Sequence, residues 1–250
     1  MRKRWVRPLV LLAGCLLLLQ GCSGVSRKAA VPEAMTASAV VPGMEDVRYR
    51  VGIDTARLQK DGIESVMKEA RLLNATDLGS LPPAEFLVIS GGGDNGAFGA
   101  GLLNGWTVAG GRPDFKLVTG VSTGALTAPF AFLGPAYDER LKRLYTTISA
   151  QDIAKPRNLL AIITSDAAAD NAPLWRLIEK EIDQAFLAAV AAEHDKVRIQ
   201  LIATVDLDAR QSVLWNMTKI AASRDSKAPD LFRSIIIASA EIPGAFPPVM

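Results

Sequence analysis

Ser122 stands in Gly120-Val121-Ser122-Thr123-Gly124, a G-x-S-x-G arrangement. Between a strand and a helix this spacing builds a nucleophile elbow, with the serine side chain presented on a sharp, strained turn. Side chains two positions either side would clash there, so both become Gly120 and Gly124. The helix N-terminus points partial positive charge at the site and favours an anionic intermediate. The chemistry is acyl transfer through a serine nucleophile. The same residues also suit a glycine-rich helix start with an N-capping serine.

A second glycine cluster precedes it, Ser90-Gly91-Gly92-Gly93-Asp94-Asn95-Gly96-Ala97. Gly91, Gly92 and Gly93 leave amide N–H groups bare of side chains, and such a loop binds an anion. One candidate is the oxyanion of an ester tetrahedral intermediate. The other is a dinucleotide pyrophosphate, since Gly91, Gly93 and Gly96 satisfy G-x-G-x-x-G. That reading needs an acid ending the next strand. Asp114 precedes the strand, and the Ser122 motif comes directly after it, so no nucleotide is expected.

His194 is the only histidine. A Ser-His-Asp triad would need it as base. It sits in Ala-Glu-His-Asp-Lys at a helix end, where a solvated histidine is the simpler reading. Ser122 then needs activation by a carboxylate held against its hydroxyl in a water-poor site. An ordinary α/β-hydrolase using His194 is the competing expectation.

The elements that must position these residues alternate. Strands are predicted at 86–89, 115–119, 197–205 and 211–217. Helices are predicted at 61–73, 97–108, 123–132, 138–148, 173–192 and 228–240, and Leu81-Pro82-Pro83 makes a break. The run Phe86–Ile89 is continuous and apolar, the sign of a buried strand. In helix 61–73, Ile63, Val66, Met67 and Ala70 share one side. Alternation favours a largely parallel sheet covered on both faces. Trp106, Trp175 and Trp215 read as core residues.

With 250 residues, 49% hydrophobic and 22% charged, the chain can bury a core and is not intrinsically disordered. Only one apolar run nears spanning length, at the N-terminus, which excludes a polytopic membrane protein. The formal charge of +2 reflects Arg2, Lys3, Arg4 and Arg7; without those four, 24 of the 28 basic residues face 26 acidic ones. No basic excess of the kind nucleic-acid binders use remains.

Residues 1–21 have a basic start, a short apolar run and a small residue before Cys22, as a secretory signal does. Leu19-Gln20-Gly21-Cys22 resembles the bacterial lipobox, which implies lipidation at Cys22. Leu12-Ala13-Gly14-Cys15 also matches but leaves a shorter apolar run. Several acyl chains would anchor firmly, at about 0.8 kcal/mol per buried CH₂. Ser23 is not Asp, which by the same resemblance suggests the outer membrane. Cys15 and Cys22 are the only cysteines, so no disulfide and no cysteine metal site is expected. Residues 22–45 read as a flexible tether, 46–83 as an N-terminal helical extension and 84–250 as the main domain.

Together the motifs resemble the patatin-like phospholipases, specifically their bacterial lipoprotein branch. Ser90–Gly101, Gly120–Leu133 and Ala238–Val249 (ASAEIPGAFPPV) carry the resemblance. It implies a three-layer α/β/α fold with a mainly parallel sheet, and a Ser–Asp dyad acting on membrane lipid or ester substrates without metal or cofactor. Ser122 becomes the nucleophile and Gly91, Gly92 and Gly93 the oxyanion hole. The family's dyad Asp follows the stretch matching IPGAFPPV in an Asp-Gly element, and the sequence reaches Met250 without one. The domain is therefore expected to be C-terminally incomplete, which predicts an exposed sheet edge and apolar surface. Ser90 replaces the Asp that often opens the glycine loop. Asn95 stands where phospholipid-cleaving members often carry Arg. The alternative function is a catalytically inactive, membrane-anchored lipoprotein that binds lipid or a partner.

Overall fold

Seven strands are described: β1 (Arg48–Arg50), β2 (Phe86–Ile89), β3 (Leu117–Val121), β4 (Lys155–Pro156), β5 (Ala169–Asp170), β6 (Ile199–Asp206) and β7 (Gln211–Asn216). They belong to a computed structural model that describes residues 29–36, 38–146, 155–156 and 169–249. Five strands make the central sheet in the order β1-β7-β6-β3-β2, and β4 pairs with β5 separately. The pairs β2–β3 and β3–β6 are parallel, whereas β6–β7 and β7–β1 are antiparallel. Only β7 therefore runs against the other four.

Eight α-helices are described: α1 (Thr55–Leu72), α2 (Gly96–Ala109), α3 (Thr123–Leu133), α4 (Asp138–Thr146), α5 (Ala172–Glu181), α6 (Gln184–Asp195), α7 (Met217–Ala222) and α8 (Ala228–Ala240). The sheet with its flanking helices is the three-layer α/β/α arrangement expected. The core lies between one sheet face, through Val118 and Ile202, and helices α3, α6 and α8, through Phe130, Phe186 and Phe232. Phe186 meets Phe130 and Tyr137 edge-on, each at 5.2 Å between ring centroids. Helix α3 is buried on nearly every side, which matches its lack of any charged residue.

Helix 228–240 agrees with expectation to the residue. Other elements differ for identifiable reasons. The single helix expected over 173–192 is two, because Ile182 leaves helical geometry and the Asp183 side chain accepts a hydrogen bond from the Phe186 amide at 2.7 Å, capping α6. Strand β3 extends to Val121, so the turn begins at Ser122 rather than Gly120. Helix α1 starts at Thr55, six residues before Asp61, and buries none of its residues. Ile63, Val66 and Met67 are exposed. Polar contacts hold α1 instead: Asp61 accepts from Tyr49 Oη and Lys219 Nζ, and Glu69 pairs with Lys116 at 2.7 Å.

Strand β2 is not buried. It is a sheet edge, with Phe86 62% and Val88 73% exposed, while Leu87 and Ile89 turn to the core. A continuous apolar run cannot distinguish a central strand from an edge strand with one bare face. Trp175 and Trp215 pack against the core, as expected, but Trp106 is 38% exposed. In the stretch expected to be a tether, Met44 is buried and Val41 packs on the core. Cys15, Cys22 and the expected signal lie outside the described residues.

Candidate active site

Ser122 occupies the junction of β3 and α3 with φ 56° and ψ −128°. A positive φ is strained for any residue bearing a Cβ. Here the surroundings fix it. A Cβ on Gly120 would come to 2.5 Å from the Gly124 carbonyl oxygen and 2.8 Å from Ala128 Cβ. One on Gly124 would come to 2.3 Å from the Ile89 carbonyl oxygen. Strand β2, strand β3 and helix α3 thus converge more closely than any side chain at 120 or 124 permits.

Because β2 and β3 are parallel, their C-terminal ends lie side by side, with Ile89 opposite Gly120. The glycine loop leaving β2 therefore meets the Ser122 turn leaving β3. A Cβ on Gly91 would lie 2.6 Å from Ser122 Cβ and 3.2 Å from its Oγ. Among the described residues the Gly91 and Gly92 amides donate no loop or turn hydrogen bond. Gly93 takes φ 54° and leads through a short 3₁₀ turn into α2. The Thr123 amide, in the first turn of α3, has no acceptor within the helix. Ligands in open α/β sheets bind at such carboxyl strand ends.

A cavity of about 60 Å³ opens here, lined by Ser90, Gly91, Gly92, Asn95, Thr123 and Thr127 among others. Thr123 Oγ1 is buried without a hydrogen-bond partner among the described residues. Tyr145 Oη donates to the Thr123 carbonyl at 3.2 Å and lies 2.9 Å from Thr127 Oγ1. Burial raises the Tyr145 phenol, and the Thr127 hydrogen bond opposes that shift.

The hydroxyl of Ser122 makes no capping bond, and among the described residues no side chain is hydrogen-bonded to it. Its amide is held: Ser122 N–H donates to Ser239 Oγ at 2.9 Å, and Ser239 Oγ donates to the Ala203 carbonyl at 2.6 Å. Glu241 comes two residues later. Burial holds its carboxyl up at about 7, against the hydrogen bond that Asn171 Nδ2 donates to Oε1, and Oε2 is buried without a partner among the described residues. Sequence reasoning placed Ser239 and Glu241 inside a motif but gave neither a role; no spacing signal connects position 239 with position 122.

His194 is elsewhere. It lies in the last turn of α6, before β6 begins, and Ile199 at that start is paired with Leu117 at the start of β3. Ser122 comes after the far end of the five-residue β3, roughly 17 Å along the strand at about 3.3 Å per residue. Burial depresses the His194 imidazole, and Lys68 adds to the effect. The structure does not bring His194 to the serine, so the triad expectation fails on topology. Among the described residues, no group of three or more His, Cys, Asp or Glu side chains could hold a metal ion. No described helix is long and apolar enough to cross a membrane.

The sequence model of one family, described as patatin-like phospholipase, matches residues 87–250, more than half of the chain. Comparison with curated proteins and with solved structures returns no match.

Proposed function

The chain belongs to the patatin-like phospholipase family, and from that premise we propose that it hydrolyses acyl esters of membrane lipids with Ser122 as nucleophile. The observation that carries the reading is the contact between the bare backbone of Gly91 and the Ser122 side chain. It brings the backbone of the first loop glycine next to the side chain that would attack.

Ser122 Oγ attacks the acyl carbonyl carbon and gives its proton to a carboxylate base. Negative charge develops on the former carbonyl oxygen, and the Gly91, Gly92 and Gly93 amides receive it. Loss of one such donor typically costs about 3–4 kcal/mol of transition-state stabilisation. The ester oxygen leaves with a proton, and water then releases the acyl group from Ser122. Membership of the family supplies the expectation that the base is an Asp.

Residues 1–21 act as a lipoprotein signal in this proposal, and acylation of Cys22 holds the domain at the outer membrane, close to its substrates. Asn95 in place of a cation weakens recognition of a phosphate head group more than ester hydrolysis itself. A second reading, a lipid-binding lipoprotein without turnover, is favoured by one observation: among the described residues no base touches the Ser122 hydroxyl.

The test is labelling of the folded native protein with a fluorophosphonate probe, mapping of the modified peptide, and hydrolysis of p-nitrophenyl esters and phospholipid vesicles. Labelling confined to Ser122, with turnover abolished by Ser122→Ala, is the expected result. A folded protein that binds vesicles but neither labels nor turns over supports the second reading instead.

A further inference from the structure

We propose that Ser239 is a positioning residue that bridges the ends of β3 and β6 and fixes the backbone of Ser122. This rests on the acyl-hydrolase reading above for its catalytic consequence, but its geometry stands apart from that reading.

The register of β3 against β6 shows what the hydroxyl replaces. Ile199 N–H donates to the Lys116 carbonyl at 3.0 Å, and Leu117 pairs with Ile199, Thr119 with Leu201 and Val121 with Ala203. In a parallel ladder each of Ile199, Leu201 and Ala203 donates its amide to one residue of β3 and accepts, at its carbonyl, from the residue two further on. The Ala203 carbonyl should therefore accept directly from the Ser122 amide. It does not. Both groups instead meet the Ser239 hydroxyl, which accepts from Ser122 N–H at 2.9 Å and donates to the Ala203 carbonyl at 2.6 Å. Ser239 is a side chain inserted as the last rung of the ladder.

That insertion has three consequences. The last rung passes through the Ser239 hydroxyl in two steps, while Val121 and Ala203 stay paired in register. The Ser122 amide is fully engaged, so the donors left for an oxyanion are those of the glycine loop and the start of α3. The plane of the Val121–Ser122 peptide is fixed from outside the turn, and with it the direction of the serine side chain at its positive φ. Because α8 carries Ser239 to within one residue of its own end, the position of the nucleophile becomes tied to the packing of that helix.

Removing the hydroxyl has a distinctive expected outcome. In Ser239→Ala the Ser122 amide and the Ala203 carbonyl can close into a direct bond, so the fold survives while the turn moves. We expect the rate of inactivation of the saturated complex by a fluorophosphonate to fall at least about tenfold, as sub-ångström misplacement of a reacting atom does. The probe concentration for half-saturation should change less than about twofold, and the thermal midpoint should hold. Ser239→Thr, which keeps the hydroxyl, should recover most of the rate. A Ser239→Ala protein that labels as fast as the parent overturns the proposal, as does equal loss in the Ala and Thr variants. If the parent protein itself does not label, the hydrolase reading has failed, and the positioning role is decided by a crystal structure of Ser239→Ala. There, a Ser122 amide donating directly to Ala203 and a changed Ser122 φ support it, and an unaltered turn with no direct Ser122–Ala203 bond refutes it.

Discussion

Gly91 lies directly against Ser122: a methyl group on its Cα would come within 2.6 Å of the Ser122 Cβ. This contact joins the two glycine motifs into one site, and it exists because parallel β2 and β3 deliver their next turns to the same edge of the sheet. Gly91→Ala should therefore displace the serine or the loop and lower the fluorophosphonate labelling rate by at least about 100-fold. Gly93→Ala is the control. A Cβ there meets nothing within 4 Å, and only the φ of 54° opposes it, at about 1–2 kcal/mol. Its labelling should fall far less. Equal losses in the two variants would show that the contact is not the cause.

Gly124 is packed more tightly still. A Cβ there would reach 2.3 Å from the Ile89 carbonyl oxygen, a backbone atom that cannot swing aside. Overpacking typically costs about 1–3 kcal/mol and sometimes more. Gly124→Ala should lower the thermal midpoint by roughly 5–10 °C, on the scale of about 2–4 °C per kcal/mol for a domain of this size. Differential scanning calorimetry of the variant measures this, and an unshifted midpoint would contradict the packing described.

Arg112 and Asp138 form a buried ion pair at 2.7 Å, with side chains 1% and 10% exposed. Arg112 also donates to the Ala131 carbonyl at 3.1 Å and to Thr107 Oγ1 at 3.0 Å, so it ties α2, α3 and α4 together. Asp138→Ala strands the guanidinium charge and should reduce stability by about 3–5 kcal/mol. Arg112→Met combined with Asp138→Leu should lose much less. Urea denaturation of both proteins provides the comparison.

Glu241 should give the domain a pH-dependent stability. Its folded carboxyl titrates at about 7 because burial disfavours the charge, against an ordinary value of 4.5. Below pH 4.5 both folded and unfolded states hold the proton. Between 4.5 and about 7 the folded state keeps a proton that the unfolded chain has lost, so stability falls as pH rises through that window and levels off above it. Glu241→Gln retains an acceptor for Asn171 but does not titrate. It should melt higher than the parent at pH 8 and no differently at pH 4. Identical pH profiles for the two proteins would refute the assignment.

His194 should be dispensable for chemistry. Its place at the opposite end of the strands predicts that His194→Ala labels at the parent rate at pH 7. A loss of tenfold or more, in a protein of unchanged thermal midpoint, would restore it as a candidate base.

The legible parts of this protein are those in which local steric demands restrict the residue type. A positive φ followed by a tightly packed helix leaves glycine at 120 and 124, so that turn could be read directly. Pro229-Asp230, a helix-start pair, likewise marked where α8 begins. Period alone could not place β2, because an edge strand with a bare face has the same composition as a buried one. Nor could it break the helix at Ile182 and Asp183, where one capping side chain outweighs a run of good helix formers.

By itself, then, the sequence pointed to a serine on a tight strand-to-helix turn and to a separate glycine loop after an earlier strand, because each of these demands acts between residues a few positions apart. Only the tertiary structure decided that Gly91 touches Ser122, that His194 lies at the wrong end of the sheet, and that the Ser239 hydroxyl completes the ladder between β3 and β6. Those relationships depend on strand order and register, and the hydrogen bond from Ser122 to Ser239 crosses 117 positions of chain. No local preference encodes a contact of that separation; it is selected by the packing of whole helices on the assembled sheet.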